Sequence, residues 1–279
     1  MRATKPITAV VVALMAVQAS QGQPQKRTAD AFDRYISEAE TRITKQRNSQ
    51  QSFLRIDSVS SSQRSEVLQR LRRGDVVVEK QGKTPTEVTG GLIHDWVGTV
   101  LIPHATVAQV VSMVRDYNHL TQYYSPDVVQ SRLISGSGDD LRVYMRLRKH
   151  KVVTVVLDTE YAVHYVRLDP AHQFSFSRST RVSEIADPGS KTEHALPADQ
   201  DHGFMWRLNS YWAFEQADDG VLVECEAISL TRGIPTGLGW IVDPFVQSIP
   251  RESLQFTLGA TRKALIVPGT SELHFSQDR

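Results

Sequence analysis

Between Gly91 and Leu265 the apolar residues recur mainly at every second position and only twice at helical spacing. Alternation sends successive side chains to opposite faces of a strand. The pattern predicts strands at about 92–103, 127–135, 140–149, 152–168, 172–185, 204–216 and 220–230. Val107, Val110, Val111 and Val114 share one side of a helix over 105–117, and Leu254, Leu258 and Leu265 mark a long helix over about 240–265. Pro244 or Pro250 is expected to bend the long one. Ala186 to Gly203 holds two prolines, two glycines and many charges, and reads as a long loop. Strands in series closed by one helix imply an α+β fold. In it, a curved antiparallel sheet of about seven strands wraps the C-terminal helix, with an apolar ligand cavity between them.

The preceding segment has a different rhythm. Phe32, Ile36, Ala39 and Ile43 form one narrow apolar stripe on a charged helix, which Thr28 or Asp30 can cap. Such a helix packs on the main domain or on a partner. Asn48 to Ser62 reads as a linker, Ser62 to Arg73 as a second helix ended by Gly74, and Val76 to Glu79 as a short strand. At the start, Arg2 and Lys5 precede an uncharged apolar run from Ile7 to Val17, followed by Gln18-Ala19. This is the layout of a secretory signal peptide. The run is shorter than the roughly 20 residues of a membrane span, and an uncleaved anchor is the rival reading. The expected division is a signal peptide at 1–19, a helical extension at 20–90, a ligand-binding domain at 91–267 and a tail at 268–279. The expected location is exported, periplasmic or secreted.

Alternation also sorts the two faces of each strand. Leu141, Val143, Met145 and Leu147 share a face with Leu157, Tyr161 and Val163. Arg142, Arg146, Asp158 and Glu160 share the other, where they can pair as a solvated ladder. Phe204, Trp206, Leu208, Ser210, Trp212 and Phe214 are expected on the concave side, opposite Val221, Val223, Cys225 and Ala227 across a hairpin at Asp218-Asp219-Gly220. Glu224 and Glu226 then fall on the convex surface. On the next strand, Phe174, Phe176 and Val182 set an apolar register that also contains Arg178 and Thr180. An arginine on an apolar face needs a partner. The partner could be Asp243 or Glu252 on the closing helix, or the anionic head of a ligand.

The rest of the composition narrows the chemistry. The 279 residues are 40% hydrophobic, enough for a real core, and Lys+Arg 32 against Asp+Glu 31 gives no concentrated basic surface for nucleic acid. Loss of residues 1–19 would remove Arg2 and Lys5 and no acid, taking the formal charge from +1 to −1. Cys225 is the one cysteine, so no internal disulfide forms, and its strand position suits an inert buried thiol. There is no Gly-rich phosphate loop, no Gly-x-Ser-x-Gly elbow and no histidine pair at zinc spacing. Neither metal nor cofactor is expected. An enzyme built from His94, Tyr161 and Arg178 is conceivable, but no motif requires it.

Four segments carry a family resemblance. They are Ile93-His94-Asp95-Trp96-Val97-Gly98, Val110 to Tyr117, Tyr123-Tyr124-Ser125-Pro126-Asp127-Val128-Val129, and Pro250-Arg251-Glu252-Ser253-Leu254. Residues 90–265 resemble the START/Bet v 1-like superfamily, the helix-grip fold of lipid-transfer domains, ubiquinone-binding proteins and polyketide cyclases. That resemblance implies a binder or carrier of a lipid-like molecule. The alternative is a cyclase, dehydratase or hydrolase working in the same cavity. A third reading is an interaction module whose aromatics fill the cavity. Membrane contact is compatible with all of these, and the oligomeric state is left open. The residues expected to line the site are Arg178, Tyr161, Phe174, Phe176, Trp206, Trp212, Phe214, Met145 and Leu258.

Overall fold

The computed structural model describes residues 24, 26–49, 52–151, 153–197, 200–233 and 239–266, without the side chains of 239–247. The expected signal segment, the tail, and the bend at Pro244 lie outside what is described. The elements run α1 (Lys26–Arg47), α2 (Ser61–Arg72), β1 (Val77–Lys80), β2 (Thr86–Val88), β3 (Gly91–Pro103), α3 (Val107–Arg115) and α4 (Leu120–Tyr124). They continue with β4 (Val128–Ser137), β5 (Asp140–His150), β6 (Thr154–Arg167), β7 (His172–Ala186), β8 (His194–Ala195), β9 (Arg207–Ala217), β10 (Gly220–Arg232) and α5 (Gly239–Leu265).

The sheet is curved and unclosed. Its strand order is β1-β3-β10-β9-β7-β6-β5-β4, with β2 on β3 and β8 on β7. Every pairing is antiparallel. The seven long strands match the seven expected. The others are short, and β1 and β2 come from the segment assigned to the extension.

Helix α5 lies across the inner face. Leu254 and Leu258 sit on Gly98 of β3, where an added Cβ would collide with Leu258 Cδ1. The glycine therefore sets how closely helix and sheet approach. Further along, the Thr261 and Tyr124 hydroxyls lie 2.9 Å apart, and Arg262 Nε donates to the Leu101 carbonyl at 3.1 Å. Towards the other end, Glu252 pairs with Lys151 at the β5–β6 turn. Helix α3 opens with a reciprocal cap: the Thr106 amide donates to Gln109 Oε1 at 2.8 Å, and the Gln109 amide donates to Thr106 Oγ1 at 3.3 Å. It buries Val107, Val110, Val111 and Val114 in the inner core.

The outer face is covered by the N-terminal extension. Phe32, Ile36, Ala39 and Ile43 of α1 pack on Ile93, Tyr211, Ile228 and Leu230. Phe53, Leu54 and Ile56, with Leu71 of α2, pack on Leu101, Ala213 and Leu222. Each fully buried large apolar side chain stabilises by about 1.5–3 kcal/mol. The narrow stripe read in the sequence thus covers the chain's own sheet.

That cover corrects the expectation for Glu224 and Glu226. They do face outward, but α1 and the following loop bury them to 2% and 3% exposure. Arg47 Nη2 donates to Glu224 Oε1 at 2.6 Å, the Arg55 amide donates to Glu224 Oε2 at 2.7 Å, and Arg42 Nη1 donates to Glu226 Oε2 at 3.1 Å. The ladder on β5 and β6 is open to solvent only at Arg142, since Arg146 and Asp158 are 17% and 24% exposed beside Glu193 of the β7–β9 loop. Arg146 bonds Asp158 at 2.7 Å and Glu193 at 2.8 Å, and Arg142 approaches Glu160 at 3.9 Å.

A second correction concerns β7. Glu160 pairs with Arg181 but Tyr161 pairs with Ser179, so Thr180 is an extra residue in the strand. A bulge of one residue exchanges the two faces across it. Val182 therefore faces inward, whereas Phe174, Phe176 and Arg178 face outward. The serines Ser175, Ser177 and Ser179 take the inner side. The unbroken register expected from Phe174 to Val182 does not exist.

Candidate functional site

The inner face can be read in transverse rows from the strand register, since directly paired residues share a face. One row runs Gly98, Cys225, Trp212, Ser175, Tyr165. The next runs Trp96, Ala227, Ser210, Ser177, Val163. In the third, His94 faces Ser229 and Leu208, and Ser179 faces Tyr161. The Leu208 amide donates to Ser179 Oγ at 3.0 Å, which joins those two halves.

The centre of the sheet, on β10, β9 and β7, is therefore paved with small residues. Larger rings and aliphatic chains frame it. Small side chains make this the lowest part of the inner face, referred to below as the trough. Met145, Leu147, Leu208 and Trp212 border it and stay only partly buried against the inner core. Trp212 stacks on Phe214, with ring centroids 6.1 Å apart.

Polar groups at the centre of this face are neutral, while Lys80, paired with Trp96, and Lys149, 5.9 Å from the Phe256 ring, bring cations to its edges. Tyr117 and Tyr165 share a hydroxyl–hydroxyl bond of 2.9 Å. Burial pushes the Tyr117 and Tyr161 phenols up to about 12. Burial lowers the His94 imidazole to about 4, so it is uncharged at neutral pH. His94 Nε2 lies 3.2 Å from Thr231 Oγ1. His94 Nδ1 and Trp96 Nε1 are sealed on this face without a hydrogen-bond partner, and the buried Tyr161 phenol bonds the neighbouring Thr159 hydroxyl. A buried polar atom left unpaired costs about 1–3 kcal/mol. Cys225 Sγ is buried in the same floor, and burial raises its thiol pKa, so it stays an unreactive thiol.

The expected lining residues divide into two groups. Tyr161, Trp212, Met145, Phe214 and Leu258 lie on the inner side. Of these, Phe214 and Leu258 are wholly enclosed at 0% exposure and build the floor and the helix contact. Phe174, Phe176, Trp206 and Arg178 are not in the trough. Phe174 packs against Phe53 and Leu54, and Phe176 bridges both outer clusters. Trp206 precedes β9, where its amide and Arg207 both oppose Leu230, and it turns outward into the α1 cluster with Nε1 donating to Asp201 at 3.0 Å. Arg178 is half exposed and makes a two-point pair with Glu40 of α1 at 2.6 and 2.7 Å.

The conceivable enzyme trio is thereby split, because Arg178 sits on the opposite face. His94 and Tyr161 are separated by four strand spacings, about 19 Å along the sheet. The residues that sequence reasoning missed are Trp96 and the serines of β7 and β9. The Ser175-Ser177-Ser179 spacing was visible, but the bulge reversed its face. Two open grooves of 620 and 580 Å³ flank α1, along Asp33, Ser37 and Thr44 and beside Arg34, Glu87 and Thr89. Both are open to solvent and lie on the outer side of the sheet. Among the described residues no helix is long and apolar enough to cross a membrane.

No protein-family model matches the chain, and no curated protein sequence does. Solved structures do resemble it. A STAR-related lipid transfer protein from Xanthomonas axonopodis is 21% identical over 68% of this chain and 98% of that one, with a TM-score of 0.43. A START superfamily protein from Mycobacterium smegmatis is 12% identical over 62% and 96%, with a TM-score of 0.39. A Streptomyces aromatase/cyclase is 12% identical over 62% and 93%, also at 0.39. These are the START and aromatase/cyclase types named by the sequence resemblance.

Proposed function

We propose that the chain binds a hydrophobic or amphipathic small molecule in the trough between the inner face and α5, and carries it in an exported compartment. The observation that supports this is the floor of small residues, Gly98, Cys225, Ala227, Ser210, Ser177 and Ser175, beside half-buried Met145, Leu147, Leu208 and Trp212. Apolar walls give a ligand its binding energy, and a few placed polar groups orient it. Binding without chemistry is favoured over catalysis because His94 and Tyr161 lie too far apart to act on one atom. The test is native mass spectrometry with lipid extraction of the chain lacking residues 1–19, beside an Ala227→Phe variant that fills the trough. The expected result is a lipid-sized adduct on the first protein and its loss from the second, with the fold retained by circular dichroism. An adduct unchanged by Ala227→Phe places the ligand elsewhere and defeats the reading.

A further inference from the structure

The last strand of the sheet, β4, has a surface of its own kind. Among the described residues no further strand pairs with it. Among them too, five large apolar side chains are exposed, and three stand on β4: Val129 at 36%, Leu133 at 38% and Ile134 at 43%. Three on one short strand form a patch, unlike single scattered residues. Two of them are there because of bulges. Val128 faces Leu147 while Gln130 faces Arg146, and Leu133 faces Val143 while Ser135 faces Arg142. Val129 and Ile134 are therefore extra residues with no partner on β5, where a bulge re-aims the side chain.

Cations accompany the patch. From Val128 to His150 the β4–β5 hairpin carries Arg132, Arg142, Arg146, Arg148 and Lys149 against Asp139 and Asp140. Those two acids are held at the hairpin tip, Asp139 by Arg115 at 3.5 Å and Asp140 by His164 at 2.8 Å. Arg146 and Lys149 have acids of their own, Asp158 and Asp127. Arg132 is exposed over the Tyr144 ring, 3.7 Å from its centroid, and Arg148 is exposed beyond Arg146 on the same face. Among the described residues neither of these two pairs with an acid.

We infer that the β4 edge docks on an anionic lipid bilayer, with Val129, Leu133 and Ile134 entering the headgroup boundary and Arg132 and Arg148 meeting lipid phosphates. Apolar area and unpaired cations side by side are what such a surface rewards. A second copy adding a strand here fits less well. The bulges interrupt the ladder that a new strand would follow, and the Leu133 amide is already donated to Asn118 Oδ1 at 3.0 Å. A bilayer needs no ladder. Docking at this edge also needs nothing from the trough.

The test is flotation with vesicles at physiological salt. It uses the chain lacking residues 1–19, because the apolar run in that segment would enter a bilayer unaided, and every described element lies beyond it. Vesicles of equimolar phosphatidylcholine and phosphatidylserine are expected to bind at least about 10-fold more tightly than phosphatidylcholine alone. Val129→Gln with Ile134→Gln should weaken that binding about 5- to 30-fold. Arg132→Gln with Arg148→Gln should weaken it about 10- to 30-fold and remove most of the preference for the anionic lipid. The control is Arg181→Gln, 60% exposed on β7 and about 14 Å from β4 across the sheet, which should change binding less than about 2-fold. Unchanged melting temperatures show that the variants fold, and if one pair does not, the other carries the same expectation. Binding to neither vesicle, or an equal loss in Arg181→Gln and in the arginine pair, overturns the docking edge and leaves the trough reading standing. So does a dimer, seen by sedimentation without lipid, that Val129→Gln with Ile134→Gln dissolves, since the edge then belongs to a second copy.

Discussion

The two faces of one sheet solve opposite problems. On the outer face, under α1, three ion pairs hold the cover: Arg47–Glu224, Arg42–Glu226 and Arg178–Glu40. Each partner was brought there from more than a hundred residues away. At the centre of the inner face the polar groups are neutral, and the buried atoms His94 Nδ1 and Trp96 Nε1 have no partner. A buried charge demands its counter-ion within the protein, and these three acids have theirs as folded. A neutral polar group can remain unpaired at modest cost. The difference separates a surface that fastens the fold from one whose proposed role is to receive a molecule.

The largest effect should come from breaking the fastening. Arg47 and Glu224 are 2% and 3% exposed, and Glu224→Ala leaves an arginine buried without its acid. The expected loss is about 3–5 kcal/mol by urea denaturation. A loss under about 1 kcal/mol would mean that α1 does not cover this acid in solution.

A fourth outer acid sharpens the comparison through pH. Asp95 accepts from the Tyr35 hydroxyl at 2.8 Å, and its other oxygen is unpaired. Burial, reinforced by the neighbouring Glu226 carboxylate, raises its pKa to about 8, although Tyr35 and Arg42 pull the other way. In the unfolded chain the group titrates near its ordinary value of 3.8. Between those values the folded state holds a proton that the unfolded state has released, so stability falls as pH rises. The contribution is whole below about pH 4 and lost as pH passes through about 8. Asp95→Asn should remove this slope, by up to about 1.4 kcal/mol per pH unit. Parallel stability profiles for mutant and parent over pH 5–8 would contradict a protonated Asp95.

On the inner face, Gly98→Ala should force α5 off β3 and cost about 1–3 kcal/mol, read from the melting curve. An unchanged melting temperature would mean that the helix does not pack so closely. The smallest effect is expected where the outer face is open to solvent. Arg142→Ala removes a 3.9 Å contact from a side chain that is 58% exposed, and should change stability by less than about 1 kcal/mol.

Much of the fold was legible because alternation and helical spacing are local. Leu141, Val143, Met145 and Leu147 face inward as their spacing requires, and the β9–β10 hairpin sets Trp212 against Cys225 and Phe214 against Val223. The site was legible only in part. Tyr161, Trp212 and Met145 lie on the expected side, but Phe174, Phe176 and Arg178 do not. One residue, Thr180, reversed them, and a bulge leaves no mark in the apolar pattern when both faces of the strand are buried. Phe174 looked like a cavity residue because it is apolar, yet its apolar neighbours are Phe53 and Leu54 of the extension.

The chain by itself determined which segments become strands and helices, and where apolar stripes run along them. Those properties depend on neighbours two to four positions away, within reach of backbone geometry. Tertiary structure alone decided what each stripe would meet. The stripe Phe32-Ile36-Ala39-Ile43 could have served a partner, and Glu224 and Glu226 could have stood in water. Docking α1 on the outer face settled both together, since burying the stripe also buries the acids and requires Arg42 and Arg47 to accompany it. The serine trough is equally a tertiary product. Its floor joins residues from β3, β10, β9 and β7 that only the strand register brings side by side.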